Sequence, residues 1–227
     1  MFIGKTARFW QIVYWQALSI LASQGWKTLF SRAVGFIIQR YIFQKETSYL
    51  YEHTMRERKE SDFLPDFSTY TVSILTSAEQ IAELTRQGYS NSREMEAYTR
   101  QGLDSRAIAF LIFAGSDLAH IGWIMMSYRS KAVFDNLPYR VDFENGEACT
   151  GGTETIPKYR GKGLMTYGYY LRFEYLRKQG VVKSRNAVDV GNLASQAVHA
   201  KFDPYIYAKA RYVKFLWFKY YKEVVFS

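Results

Sequence analysis

The sequence predicts an α/β (α+β) domain that follows a helical N-terminal extension. From residue 68 onward, short apolar runs typical of β-strands alternate with stretches whose apolar residues recur at helical spacing. The apolar segments 106–114 and 118–128 flank the turn sequence Gly115-Ser116-Asp117, which indicates a β-hairpin. Residues 1–45 show helical spacing only, so we expect them to lie outside the main sheet.

Composition limits the classes of function that the chain can have. The 227 residues are 48% hydrophobic, which is enough for a packed domain with an extension, and the net charge of +9 attracts anionic partners. The single cysteine, Cys149, excludes an intrachain disulfide, and the three histidines lack the spacing of a helical metal pair. We therefore expect no metal cofactor, and in the absence of a spanning segment or signal peptide we expect a cytoplasmic protein.

We divide the chain into an aromatic and basic helical extension with its connection, residues 1–60, and a main domain, residues 61–227. Apolar side chains recur at helical spacing from Trp10 to Leu21 and again from Trp26 to Tyr41. Two interpretations remain open. The helices pack on the main domain or on a second subunit of a homodimer, or they lie peripherally on an anionic membrane surface. The charged segment 45–65 is predicted to be a solvated connection.

The main domain is predicted to contain six strands and four helices. We predict a loop at 131–145, strands at 69–75, 106–114, 118–128, 147–156, 181–190 and 205–218, and helices beginning at Ser77, at Asn91 or Ser92, at Arg160 and at Asn192.

The segment from Thr153 to Gly163, TETIPKYRGKG, has the layout of an anion site. A strand ends before Pro157, and Arg160-Gly161-Lys162-Gly163 then leads directly into a long helix. The first turn of a helix presents unpaired N–H groups, the glycines let a phosphate approach the backbone, and the basic residues supply countercharge. The Walker A and dinucleotide-binding glycine patterns do not fit this spacing. A pyrophosphate fits the layout, although a basic turn without a ligand remains the alternative.

A second motif follows the next strand, where Asn192 is placed as a helix N-cap and His199 lies one helical turn beyond Ser195. The order strand, PKYRGKGL, helix, strand, N-x-x-S, helix resembles the GNAT superfamily of N-acetyltransferases. The superfamily pattern Q/R-x-x-G-x-G/A aligns with Arg160, Gly163 and Met165, where methionine replaces the final small residue. The second pattern usually has tyrosine at the position of His199, and its usual Gly-Phe is replaced by Asp-Pro at 203–204. The resemblance is specific for residues 147–204 and only topological for 68–128.

The resemblance implies a GNAT-like mixed, mostly antiparallel central sheet with a splayed strand pair, flanked by helices. Acetyl-CoA or another acyl-CoA would enter between the splayed strands, and an amine would attack the thioester without a covalent enzyme intermediate. The strand backbone at Thr155 and Ile156 would bind the pantetheine arm. The pyrophosphate and the rest of the cofactor would contact Arg160, Gly161, Lys162, Gly163, Leu164, Met165, Asn192 and Ser195.

The resemblance also implies candidate catalytic residues, because direct transfer needs a base for the amine and an acid for the thiolate. His199 occupies the position of the acid tyrosine, although it is equally compatible with a core or surface histidine. Among the strand carboxylates Glu147, Glu154 and Asp189, we choose Glu154 as the base because it is closest to the cofactor loop. Strand alternation places Glu147 and Glu154 on opposite faces unless a bulge intervenes. Cys149 is expected to be a small core residue.

The sequence thus predicts an acyl-CoA-dependent N-acyltransferase, and most specifically an N-acetyltransferase, with a small amine-bearing acceptor. One alternative is an acyltransferase for longer acyl chains. Another is a non-catalytic basic module that binds nucleic acid or an anionic membrane, suggested by the net charge and the Tyr/Lys-rich segment 209–222. Because that segment has no RNP or zinc pattern, nucleic acid is the less favoured partner.

Overall fold

The structure is a computed structural model that describes residues 43–66, 69–89 and 93–226. Within these residues, eight strands form one sheet in the order β2-β3-β4-β5-β6-β1-β7-β8. The strands are β1 Phe43–Thr54, β2 Tyr70–Leu75, β3 Ile108–Ala114, β4 Asp117–Met125, β5 Glu147–Thr155, β6 Lys183–Asp189, β7 Tyr205–Phe215 and β8 Phe218–Val225. The helices are α1 Glu79–Arg86, α2 Arg93–Asp104, α3 Tyr128–Phe134, α4 Leu164–Lys178 and α5 Leu193–Ala200. The predicted mixed, mostly antiparallel sheet flanked by helices is confirmed.

The chain divides into two compact units. The larger contains residues 47–210 and 223–227, and the described part of the smaller consists of residues 43–46 and 211–222. The helices predicted within residues 1–42 lie outside the described residues, so the domain boundary at residue 61 stays a prediction. No helix in the described ranges is long and apolar enough to cross a membrane.

The centre of the sheet is the predicted hairpin β3–β4, whose antiparallel pairing is confirmed. Both strands are almost continuously buried, as expected for strands covered on both faces. The apolar side of α4 covers one face, where Phe110 and Ile112 join a core cluster with Tyr170 and Phe173. On another part of β4, Trp123 packs against Phe134 of α3, with ring centroids 4.6 Å apart.

Strand β1 corrects the expectation that residues 45–65 form a solvated connection. Residues Ser48–Thr54 pair antiparallel with β6 along its whole length, and Leu50, Tyr51 and His53 are buried. Glu52, whose charge suggested a solvated segment, forms ion pairs with Lys183 and Arg185 of β6. The charge is therefore compatible with a strand because its partners lie on the neighbouring strand.

Other predicted boundaries also require correction. The predicted loop at 131–145 is wrong at its start, because Ser127 caps helix α3 by accepting a hydrogen bond from the Ser130 N–H. Helix α1 begins after Ala78 rather than Ser77, and α4 begins at Leu164 rather than Arg160. The predicted final strand 205–218 is instead the strand β7 followed by a turn and the strand β8.

Candidate functional site

A gap opens in the sheet between the parallel strands β5 and β6. Their pairing covers only Glu147–Cys149 of β5 and Lys183–Arg185 of β6. Thr150, the first β5 residue beyond this pairing, has its hydroxyl oxygen 3.0 Å from that of Ser184. Residues 151–155 then continue without a partner on β6, although β6 remains paired to β1 on its other side. The predicted splayed strand pair is therefore present.

The edge of β5 that faces this gap offers backbone hydrogen-bonding groups. The Ile156 N–H points the other way and donates to the Ala119 carbonyl oxygen at 3.0 Å. Because successive residues of an antiparallel ladder alternate in direction, the Thr155 N–H and C=O point towards the gap. The Thr155 carbonyl oxygen accepts a hydrogen bond from Arg160 Nε at 3.0 Å. Thr155, rather than Ile156, can therefore pair with an extended amide-containing ligand.

The loop that follows β5 contains two glycines in the left-handed region, Gly161 at φ 76° and Gly163 at φ 75°. A Cβ on Gly161 would meet no atom within 4 Å, so the loop is open at this point. A Cβ on Gly163 would lie 3.3 Å from Pro65 Cα, and the Lys162 carbonyl oxygen accepts from the Asp66 N–H at 3.1 Å. The segment around Pro65 thus supports one side of the loop and leaves the other side exposed.

Helix α4 presents its N-terminus directly after this loop. Its N-cap is Gly163, which has no side chain to cap the first turn, so the N–H groups at Leu164 and Met165 have no intrahelical acceptor. The helix has 15 residues, and its dipole favours an anion at this end. Arg160 is exposed and Lys162 is partly buried beside it. The loop and the helix start can therefore bind a phosphate group.

A β-bulge shapes β5 beside the gap, and Arg172 stabilises it. Two β5 residues, Gly152 and Thr153, oppose the single β4 residue Gly122. Arg172 of α4 is fully buried, and its Nη1 donates to Thr153 Oγ1 at 3.0 Å and to the Gly151 carbonyl oxygen at 3.4 Å.

The guanidinium packs directly against β4 because Gly122 has no side chain. A Cβ there would lie 2.6 Å from Arg172 Cζ. Within the described part of the chain no carboxylate forms an ion pair with Arg172, and burial lowers its pKa. Sequence reasoning missed this residue, although an arginine within an apolar helix and a glycine within an apolar strand were the available signals.

The three candidate carboxylates differ in their contacts. Glu147 accepts hydrogen bonds from Arg185 Nη2 at 2.9 Å and from the Asp142 N–H at 2.8 Å. Asp189 accepts from the Gly191 N–H at 2.7 Å and so stabilises a turn. Glu154 is exposed on β5 beyond the bulge. Glu154 and Asp189 are both exposed, and of these two only Glu154 lies on β5 beside the gap.

Tyr98 of helix α2 lies close to Glu154 and was not predicted from the sequence. Its pKa is raised to about 12, first by burial and then by the negative charge of Glu154. The hydroxyl oxygen would lie 3.1 Å from a Cβ at Gly152, so Tyr98 reaches β5 at the bulge. The opposite face of β5 is covered by α4, since Thr153 contacts Arg172 there. Glu154 and Tyr98 therefore share the face of β5 that is turned away from α4.

His199 is fully buried, and both of its ring nitrogens have partners. Nδ1 lies 3.0 Å from His53 Nε2, and Nε2 lies 3.1 Å from Asn186 Nδ2. The ring also packs edge-on against Tyr169, with centroids 4.5 Å apart. Burial first, and then the charge of His53, lower the pKa of His199 well below its usual value. The imidazole is therefore neutral near pH 7, and its role as general acid stays a prediction.

The second motif adopts the predicted local structure. Asn192 is the N-cap of α5, and its Oδ1 accepts from the Ser195 N–H at 3.1 Å. The helix places His199 against Asn186, which is the first β6 residue beyond the parallel pairing. The cofactor contacts of Asn192 and Ser195 stay predictions.

Cys149 is fully buried, and its thiol sulfur lies 3.1 Å from the Tyr139 hydroxyl oxygen. Burial raises the pKa of the thiol to about 12, which makes it unreactive and fits the expected core position. In the part of the chain that the structure describes, no group of three or more His, Cys, Asp or Glu side chains could hold a metal ion.

The fold and site thus define an α/β protein in which a splayed parallel strand pair leads through a glycine loop to an uncapped helix N-terminus, which favours anions. A family model described as the acetyltransferase (GNAT) family matches residues 78–203. The chain therefore belongs to the GNAT family of acetyltransferases, as the motifs predicted. Among curated proteins, no significant match to the chain was found.

Several solved structures are similar to the chain. A GNAT-family acetyltransferase from Colwellia psychrerythraea is 15% identical with a TM-score of 0.48, covering 76% of this chain and 56% of that one. A GCN5-related N-acetyltransferase from Sphaerobacter thermophilus is 10% identical with a TM-score of 0.46, covering 87% and 57%. One from Kribbella flavida is 13% identical with a TM-score of 0.41, covering 77% and 60%. The chain thus spans less than two thirds of the length of these proteins.

Proposed function

We propose that the protein is an acyl-CoA-dependent N-acyltransferase that transfers an acetyl group from acetyl-CoA to a small amine. One observation carries the proposal. The gap between β5 and β6 leads, through the loop containing Gly161 and Gly163, to the uncapped N-terminus of α4. The free backbone edge of β5 can pair with the amides of an extended arm, and the anion site next to it can receive a pyrophosphate. Acyl-CoA has both groups in this order.

In this proposal, the donor is held mainly by backbone groups. The Thr155 N–H and C=O face the gap and can pair with a pantetheine amide, with Arg160 Nε giving way or bridging to the same carbonyl oxygen. The N–H groups from Gly161 to Met165 receive the pyrophosphate, and Arg160 and Lys162 add countercharge. The exposed side of Gly161 supplies the space that the phosphate oxygens need.

In this proposal, the bulge in β5 determines which side chains of the strand face the thioester and the acceptor. Arg172 holds the Gly151 carbonyl and the Thr153 hydroxyl on the α4 side of the strand. Groups on the other side, Glu154 and Tyr98, are then left to face the acceptor. We assign Arg172 as a positioning residue because it is buried and acts through β5.

The proposed chemistry is direct transfer. The amine nitrogen attacks the thioester carbonyl carbon, the C–S bond breaks, and the products are an amide and the thiol of coenzyme A. Glu154 takes the proton lost by the amine, directly or through one water molecule. The thiolate needs one proton in return.

His199 cannot readily supply that proton while its ring stays neutral and enclosed by Tyr51, Tyr169 and His53. We therefore propose that a water molecule protonates the thiolate, while Glu154 releases to solvent the proton that it took from the amine. His199 instead fixes the Asn186 amide at the point where the gap begins. In this proposal, the motif that contains Asn192, Ser195 and His199 still belongs to the site, and His199 acts as a positioning residue through Asn186.

The proposal is tested by measuring thiol release from acetyl-CoA and from longer acyl-CoAs against a panel of amines. We expect release that requires both substrates, together with an amide product whose mass corresponds to one transferred acyl group. Acyl-CoA should also raise the unfolding temperature, since a ligand that binds only the native state stabilises it. The absence of both a temperature shift and thiol release, with every acyl-CoA tested, would refute the proposed function. Faster release from long acyl chains than from acetyl-CoA would replace acetyl as the donor group.

A further inference from the structure

The turn between β7 and β8 exposes four consecutive large apolar side chains. Phe215 is 52% exposed, Leu216 38%, Trp217 87% and Phe218 63%. Such side chains are usually spread singly over a protein surface, so a contiguous group at the end of a hairpin indicates an interaction site. We call residues 215–218 the hairpin tip.

The backbone of the hairpin tip also points to a function. Leu216 has a φ of 55°, in the left-handed region that glycine or asparagine would adopt at lower cost. A leucine in that conformation is strained, and strained residues persist mainly where their side chains serve a purpose. Here the effect of the leucine is to keep the apolar surface of the tip continuous.

Basic residues flank the hairpin tip on both strands. Lys214 and Lys219 adjoin it directly, and Arg211 and Lys222 lie three residues further from it. No acidic residue occurs between positions 211 and 222. At about 3.3 Å per residue along a strand, the apolar tip is about 5 Å deep. Lys214 and Lys219 lie next to it, and Arg211 and Lys222 lie about 10 Å further along the hairpin.

We propose that the hairpin tip inserts into the interfacial region of an anionic lipid bilayer. Aromatic rings are favoured at the boundary between headgroups and acyl chains, where an inserted apolar surface reaches about 5–10 Å below the headgroups. Lysine and arginine extend their charged ends into the headgroup layer and attract anionic lipids. The order of apolar end and basic flanks along this hairpin matches that arrangement.

Other occupants of the hairpin tip fit the charges less well. Residues 1–42 contain five basic residues and no acidic one, so they offer the lysines of the hairpin no acidic partner. A second copy of the chain would bring an identical basic hairpin. Surfaces that bind single-stranded nucleic acid interleave aromatic with basic side chains, whereas the hairpin tip is an unbroken apolar run. An anionic lipid surface satisfies both features, and this inference does not depend on the proposed enzymatic activity.

The test is cosedimentation of the full chain with vesicles of phosphatidylcholine alone or mixed with phosphatidylserine. We expect binding to the mixed vesicles that weakens as ionic strength rises. Trp217→Ser combined with Phe218→Ser should reduce the partition coefficient about tenfold or more, because two large apolar side chains no longer enter the bilayer. Val182→Ser, a matched change at another exposed apolar position, should bind as the unmodified protein does.

Several outcomes would overturn the proposal. Equal binding by the tip variant and the Val182→Ser control would show that the tip does not contact lipid. If neutral vesicles bind the protein as tightly as the mixed vesicles do, and ionic strength has no effect, the lysines have no role in binding. Retention by an oligonucleotide rather than by vesicles would assign the hairpin to nucleic acid. If Trp217 fluorescence is shielded from an aqueous quencher without vesicles, the tip is covered by the chain itself or by a second copy. Thermal unfolding of each variant shows whether a loss of binding reflects a loss of folding.

Discussion

The proposed anion site can be tested by placing a single negative charge at Gly161. This residue is exposed at φ 76°, and a new Cβ there would meet no atom within 4 Å. Asparagine and aspartate tolerate this backbone conformation better than other residues with side chains. Gly161→Asn and Gly161→Asp therefore have nearly the same shape and backbone strain, and differ in charge.

The size of the effect follows from Coulomb's law. Two unit charges about 4 Å apart interact by about 1 kcal/mol in water and about 4 kcal/mol near a protein surface. Because Gly161 is exposed, we expect a value between these limits, about 1.4–3 kcal/mol. Coenzyme A should therefore bind the aspartate variant roughly 10- to 150-fold more weakly than the asparagine variant.

The assay is calorimetric titration of both variants with coenzyme A, at low and at high ionic strength. The difference between the two dissociation constants should shrink as salt screens the charges. Urea unfolding should give the two variants similar stability, because the side chain at this position contacts nothing in the fold. Equal dissociation constants at low salt would refute the placement of a pyrophosphate at this loop.

Three further predictions concern the groups around the gap. Arg172→Met removes the bonds to Gly151 and Thr153, and we expect a loss of about 2–4 kcal/mol in the free energy of unfolding together with weaker coenzyme A binding; unchanged values for both would show that the bulge does not need the guanidinium. Glu154→Gln should lower kcat about 100-fold while leaving coenzyme A affinity intact, and an unaltered kcat would exclude Glu154 as the base. Burial lowers the pKa of both His53 and His120 to about 3, so their neutral forms stabilise the fold above pH 6.5 and this stability is lost as pH falls towards 3. At pH 5 each of the two histidines should lower the free energy of unfolding, measured with urea, by about 2 kcal/mol relative to neutral pH. His120→Asn should remove the part of this pH dependence that comes from His120, and a free energy of unfolding independent of pH would contradict this account.

The sequence predicted the elements whose signals are local. The apolar runs of β3 and β4, the strand β5 and the Asn192 N-cap all depend on neighbouring residues, and the structure confirms them. The glycine loop was recognised because its left-handed backbone conformation favours glycine, and the glycines at 161 and 163 are visible in the sequence.

Features that depend on distant partners were missed. Strand β1 resembled a solvated segment because Glu52 is neutralised by Lys183 and Arg185, which lie more than 100 residues away in sequence. The turn at Leu216 was missed because it has none of the usual turn residues. The burial of His199 follows from its contacts with His53 on β1 and could not be inferred while that strand was missing.

Hydrogen exchange of the backbone amides, measured with and without saturating coenzyme A, tests the central claim most directly. The account predicts slower exchange at Thr155 and at the amides from Gly161 to Met165, with little change at Ile156, whose N–H already donates to Ala119. Saturating coenzyme A that leaves the loop and the α4 N-terminus exchanging at their original rates would contradict it.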